Sequence, residues 1–361
     1  MNNRREFLKT TITTVGALGL SPVLSRASEK KTGPANADTK PSAGPASQID
    51  VHHHIIPPEY VKALADLGVS DSMGLRFPDW SVQKDLELMD RLGVQTAVTS
   101  FTAPAANVPN PKDARNIARL CNDTAAKMIS DHPGRYGAFA TVPPLTDTEG
   151  AFRELTYALD TLKFEGVCLM THYKLKYLGD GSFDEIYKEL NRRKAVVHIH
   201  PADPPGVQLG MPGGLMDVPF DTTRTATNLI CTGTMERYPD ITFILPHGGG
   251  TMPYLAFRIG EGVPFMWKGF RENAPKGFYV YLNRFYFDTA IVGPNIFPFL
   301  HKQVGTDRLL IGTDFPFAPP PVIGQCLKGI DTYEGIDAQA KKAIRETNTL
   351  GILPRLGRAR G

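Results

Sequence analysis

The densest chemistry in the chain lies in Ile49-Asp50-Val51-His52-His53-His54. These residues read as one short strand ending in histidine. Side chains alternate faces along a strand, so His52 and His54 point one way and His53 the other. Two imidazoles side by side at a strand end form half of a metal site, and His53 is set aside on this reading. Three later segments add to the pair: His198-Ile199-His200-Pro201, Pro246-His247-Gly248-Gly249-Gly250 and Gly312-Thr313-Asp314-Phe315-Pro316. Three imidazoles and one carboxylate, with room for water, suit one catalytic divalent ion, Zn²⁺ first and Mn²⁺ as the alternative. The expected ligands are His52, His54, His200 and Asp314. His198 shares a face with His200 one pleat deeper and is read as a packed residue supporting a ligand. His247 is expected to carry acid–base chemistry, because imidazole titrates near neutrality and the glycines beside it let backbone approach a ligand. For any one of these residues the alternative is a buried polar group with its hydrogen bonds met. That alternative fits His132 and His301, which fall in helical or loop contexts.

Elements must bring these distant residues together. Short apolar runs predict strands at Ile49–His54, Val94–Ser100, Tyr136–Val142, Gly166–Thr171, Ala195–His200, Ile241–Pro246, Phe285–Ala290 and Arg308–Thr313. Continuous apolar runs are what parallel strands buried on both faces require. Amphipathic segments between them predict helices at Trp80–Leu92, Lys112–Ser130, Thr148–Leu162, Phe183–Arg193, Thr222–Tyr238 and Ile296–Val304. In the first of these, Leu86, Met89 and Leu92 form the inner face, and Asp85, Glu87, Asp90 and Arg91 lie mostly outside. Strand–helix alternation on this scale predicts a (β/α)₈ TIM barrel, whose functional groups sit at the C-terminal strand ends. A doubly wound open sheet is the alternative, but it favours a glycine-rich phosphate loop after the first strand, where this chain has Ile55-Ile56-Pro57-Pro58.

The N-terminus reads as an address. Arg4-Arg5 precedes a mild apolar run from Thr10 to Leu20, and Ser25-Arg26-Ala27 offers a small-residue cleavage site. Residues 1–27 are therefore expected to be a twin-arginine signal peptide, recognised by the twin-arginine translocation machinery and delivering a periplasmic or secreted protein. Residues 28–48, rich in Ala, Pro, Ser, Lys and Gly, read as a flexible linker, and residues 49–361 as a single barrel domain. The whole chain has 40 Lys+Arg against 37 Asp+Glu. Removing the address takes away four basic residues and one acidic one, which leaves the two in balance. Nothing in this charge pattern calls for nucleic acid or a polybasic membrane contact. No stretch has the roughly 20 apolar residues of a membrane span. Cys121, Cys168, Cys231 and Cys326 are widely spaced and read as small buried hydrophobes.

Taken together, Asp50-x-His52-x-His54, His200-Pro201, His247-Gly248-Gly249-Gly250 and Gly312-Thr313-Asp314-Phe315-Pro316-Phe317 resemble the amidohydrolase superfamily. Within it they are similar to the decarboxylating branch typified by aminocarboxymuconate-semialdehyde decarboxylase. Tyr177-Leu178-Gly179-Asp180, Glu189-Leu190-Asn191-Arg192-Arg193-Lys194-Ala195 and Asp221-Thr222-Thr223-Arg224 extend the likeness toward the 6-methylsalicylate decarboxylases. The resemblance implies a barrel, one divalent metal, non-oxidative loss of CO₂ and His247 as the catalytic histidine. It also implies a homodimer in which Arg258 reaches a substrate carboxylate across the interface. The family's other carboxylate-binding arginine falls near Lys84-Asp85, where this chain has none, so a substrate with fewer carboxylates fits better. Binuclear relatives need a bridging group on the fourth strand. Here Cys168-Leu169-Met170-Thr171-His172 stands instead, and Lys174 and Lys176 come late, which favours one metal.

The expected reaction is decarboxylation of an aromatic or enolic carboxylate such as a hydroxybenzoate, with Asp314 or His247 returning a proton to carbon. His172 and Phe317 are candidate substrate contacts, and Phe101, Tyr173 and Phe315 are further rings that could stack on an aromatic substrate or serve as core. The same ligands equally suit hydrolysis of a lactone, amide or ester. A non-catalytic metal-binding role is a third reading, and the presence of an acid–base residue beside the ligands weighs against it.

Overall fold

The computed structural model describes residues 47–202 and 211–358. The expected signal peptide and nearly all of the expected linker lie outside the described residues. Eight parallel strands follow one another around a sheet: β1 (Gln48–His54), β2 (Val94–Ser100), β3 (Tyr136–Thr141), β4 (Gly166–Met170), β5 (Val196–His200), β6 (Thr242–Leu245), β7 (Tyr286–Asp288) and β8 (Leu309–Leu310). Parallel bridges Asp50 to Ile311 and His53 to Phe315 join the first strand to the segment running out of the last. The Val51 amide donates to the Ile311 carbonyl at 2.9 Å and the His54 amide to the Phe315 carbonyl at 2.7 Å, so the sheet closes. A closed barrel excludes the open doubly wound alternative.

The strands occur where the apolar runs predict, because residues such as Ile49, Val51, Val98, Val167, Ile199 and Leu245 are fully buried. Gln48, assigned to the linker from its polarity, instead opens β1. It is buried and its side-chain amide donates to the Leu92 carbonyl at 2.5 Å. Between Asp50 and His53 the pairing of β1 with β2 slips by one residue, a bulge of the kind that re-aims side chains near sites.

The helix leading into β2, Val82–Leu92, is capped by the Ser81 hydroxyl and ended by Gly93 in the left-handed region (φ 69°). Its inner face differs from the expected one. Asp85 is fully buried with Leu88 and Met89, whereas Leu86 is only half-buried. The expected helix Thr222–Tyr238 is two: Asp217–Cys231, and Thr234–Arg237 after a turn at Gly233 (φ 78°). Helices Pro58–Ala65, Met252–Met266 and Pro320–Thr332 complete the outer layer. All four cysteines are free and buried.

Candidate metal centre and active site

The strand ends bring the expected ligands to one point. Nε2 of His54 lies 3.1 Å from Nε2 of His52 and 3.1 Å from Nε2 of His200. Oδ1 of Asp314 lies 3.3 Å from Nε2 of His52 and 3.2 Å from Nε2 of His54. Ligands around one ion at about 2.1 Å sit about 3.0–3.4 Å apart in octahedral or tetrahedral arrangements, which brackets these separations.

The second nitrogen of each ring tests the fit. Nδ1 of His52 meets Asp288 at 2.8 Å, Nδ1 of His200 meets the Pro201 carbonyl at 2.9 Å, and Nδ1 of His54 meets the Ser100 hydroxyl at 3.1 Å. The Asp288 and Pro201 oxygens can only accept, so the protons of His52 and His200 sit on Nδ1 and their Nε2 lone pairs converge. Lone pairs this close repel unless a cation lies between them. Burial lowers the pKa of His54 and of His200, which keeps both rings neutral and able to ligate. His52 is also buried, yet the neighbouring Asp288 and Asp314 carboxylates raise its pKa. The donor set fits one divalent ion.

His198 is fully buried, stacks on Phe139 and is lowered to about 4 by burial. Its Nε2 sits 3.4 Å from Asp288, so it supports the site from below. Asp288 was missed. Its Oδ1 accepts the His247 amide at 2.9 Å and the Ala290 amide at 3.0 Å, while Oδ2 faces His52 and His198. The signal was available: it ends the seventh strand, where the strand-end rule would place a functional group.

His53 was set aside as facing away, and it does face away from the ligands. It is nonetheless part of the site's support. Its Nδ1 meets Asp50 Oδ2 at 2.9 Å and its Nε2 meets Asp85 Oδ1 at 2.6 Å. Burial opposes its charge, but Asp85 and Asp50 raise it to about 10. This partner explains why Asp85 lies inside its helix rather than outside. Asp50 also accepts the His52 amide at 3.0 Å, the Thr313 amide at 3.1 Å and the Thr313 hydroxyl at 2.5 Å. Asp314 follows at φ 59°, a left-handed conformation rare for non-glycine residues, held by its amide donating to the His52 carbonyl at 2.8 Å.

His247 borders the cluster, with Nε2 3.4 Å from Asp314 Oδ2, and its side chain is partly exposed. It has φ 54° and opens a turn of three glycines. At Gly250 a Cβ would lie 2.1 Å from the Pro219 carbonyl oxygen, so only glycine permits this close approach.

The other predicted contacts divide. Phe317 lies edge-on to His54, with ring centroids 5.9 Å apart, and His172 lines a cavity at the same mouth. Phe315 packs on His53, behind the ligands. Phe101 packs on Tyr60, and Tyr173 accepts the Met170 amide, so both belong to the core. Arg258 is exposed on the helix Met252–Met266. Lys174 and Lys176 are exposed and supply no bridge to a second ion.

Residues 49–355 match the amidohydrolase family, and the chain belongs to it. A decarboxylase of Penicillium terrestre is 39% identical over 77% of this chain and 87% of its own. The 6-methylsalicylic acid decarboxylase of Penicillium expansum is 36% identical over 86% of this chain and 97% of its own. The crystal structure of a dihydroxybenzoic acid decarboxylase from Polaromonas with bound manganese superposes with a TM-score of 0.73 at 23% identity, covering 87% of this chain and 98% of that one.

Proposed function

We propose that the protein is a metal-dependent, non-oxidative decarboxylase of an aromatic carboxylic acid of the hydroxybenzoate type, with 6-methylsalicylate as the reference substrate. The observation that carries this is the convergence of His52, His54, His200 and Asp314 with His247 at the rim. Similarity to decarboxylases over most of both chains favours carbon–carbon cleavage over hydrolysis.

His52, His54, His200 and Asp314 would hold a divalent ion, Zn²⁺ or Mn²⁺, which would supply Lewis acidity toward the substrate. As the bond to CO₂ breaks, its electron pair stays on the ring carbon and must take up a proton. His247 reaches the pocket from the exposed side, and its contact with Asp314 lets a proton pass between them. Asp288 fixes the His247 backbone and the His52 ring together, so acid and ligand keep one geometry. Phe317 stands where an aromatic ring would meet its edge.

A homodimer is part of this reading. On the helix Met252–Met266, Tyr254 is 78% exposed, Phe257 74% and Phe265 84%, and Arg258 lies on the same face. Large apolar side chains at this spacing form a face suited to a second copy. The family resemblance assigns Arg258 to a substrate carboxylate across that interface. Export by the twin-arginine route to the periplasm completes the reading. That route carries folded proteins and so permits metal loading beforehand.

The test is incubation of metal-loaded protein with 6-methylsalicylate and related hydroxybenzoates in D₂O. The expected result is CO₂ and a phenol with deuterium on the carbon that bore the carboxylate. No CO₂ from any acid, together with incorporation of ¹⁸O from labelled water into products of lactones or esters, would replace the proposal with hydrolysis.

A further inference from the structure

A small cavity of about 250 Å³ opens among the loops that follow β1, β2, β4 and β5, on the side of the barrel mouth where His54 and His200 end their strands. Val69, Met73, Ala103, Pro104 and Ala202 give it apolar walls. Asp71, Asn107 and His172 supply its polar edge. Among the described residues no lysine or arginine lines it.

His172 is the informative group. It is 5% exposed, yet neither ring nitrogen has a hydrogen-bond partner among the described residues. The neighbourhood is otherwise satisfied. The Thr171 amide donates to the His200 carbonyl at 2.9 Å, and the Thr171 hydroxyl donates to Asp221 while accepting the Ala202 amide at 2.8 Å. Tyr177 donates to the other Asp221 oxygen at 2.7 Å and packs edge-on against the His172 ring. The nearest carboxylate oxygen, Asp221 Oδ2, is 4.0 Å from His172, beyond a hydrogen bond. An imidazole held this firmly and left without partners in a cavity lacks a polar group from outside the chain.

The cavity's charge selects that group. A carboxylate would meet Asp71 with no cation facing it. A hydroxyl is uncharged and can either donate to or accept from an imidazole nitrogen. We propose that His172 binds a further ring hydroxyl of the substrate, one distinct from the hydroxyl beside the carboxylate. The substrate class becomes a dihydroxylated, alkyl-bearing benzoate whose alkyl group lies on the Val69 and Pro104 walls. This rests on the decarboxylase reading above.

The experiment compares metal-loaded wild type, His172→Phe and His172→Gln on 6-methylsalicylate and on the isomeric dihydroxy-6-methylbenzoates. The readouts are kcat/KM for CO₂ release and calorimetric binding. In the wild type one dihydroxy isomer should exceed the monohydroxy acid by about tenfold. His172→Phe should bring that ratio near one whatever its absolute turnover, and His172→Gln should keep part of it. Equal values for all the acids in the wild type, or an unchanged ratio in His172→Phe, overturn the proposal. If no acid releases CO₂, decarboxylation is the wrong reaction and the binding ratio alone decides the hydroxyl contact. Failure of every acid to bind overturns it.

Discussion

Asp288 Oδ2 lies 2.8 Å from Nδ1 of His52, with both side chains fully enclosed. The carboxylate's other oxygen holds the backbone of His247, so one aspartate orients both a proposed metal ligand and the proposed acid. Asp288→Asn should lower metal affinity about ten- to hundredfold, the usual effect of losing such a support, with the barrel intact. Metal titration followed by circular dichroism checks this. Unchanged affinity would mean that the ligand needs no such orientation.

His247→Ala should reduce turnover about a hundredfold or more, the ordinary range for a lost general acid. Metal content should stay at the wild-type value, because His247 is not among the four converging groups. Kinetics paired with metal analysis of the same sample decides it.

Thr313→Val removes the hydroxyl that bonds Asp50 and leaves a buried carboxylate oxygen short of a donor. A cost of about 1–3 kcal/mol is expected, with weaker metal retention as the Asp314 turn loosens. Thr313→Ser should recover most of both. Thermal unfolding with and without chelator separates the two effects.

Glu165 is half-buried just before β4, and desolvation raises its pKa above the usual 4.5. Its folded value therefore exceeds its unfolded value, so ionisation costs stability as pH rises through that interval. Glu165→Gln should gain stability at neutral pH, and the gain should vanish below about pH 4, where both states of the wild type are protonated. Denaturant unfolding across this range tests the sign.

Phe257→Asp places a charge in the exposed apolar face of the helix Met252–Met266. Sedimentation should show a shift from dimer to monomer, and activity should fall with it if Arg258 serves a neighbouring site. A monomeric wild type would end the dimer reading.

Much of this architecture was legible in the sequence. Barrel strands are buried on both faces, so their apolar runs are nearly continuous, and the ligands stand where those runs stop. Asp288 escaped notice because β7 is only three residues long and carries no histidine to flag its end. Asp85 was read as outward because an acidic residue in an amphipathic helix usually faces water. Its tertiary partners, His53 from β1 and Tyr136 from β3, make its burial tolerable. The helix Met252–Met266 was hidden for the opposite reason. Pro253 and Pro264 interrupt its pattern, and its outward face carries the apolar residues that normally mark an inward one.

The seam between the first strand and the segment following the last has a consequence for how the protein is made. His52 and His54 leave the ribosome long before Asp314, which completes their cluster. The full ligand set therefore exists only after the two ends of the barrel meet. A bound ion would clasp that seam from within, so stripping it should loosen the whole fold rather than one loop. Metal acquisition would then follow barrel closure and act as a check on it.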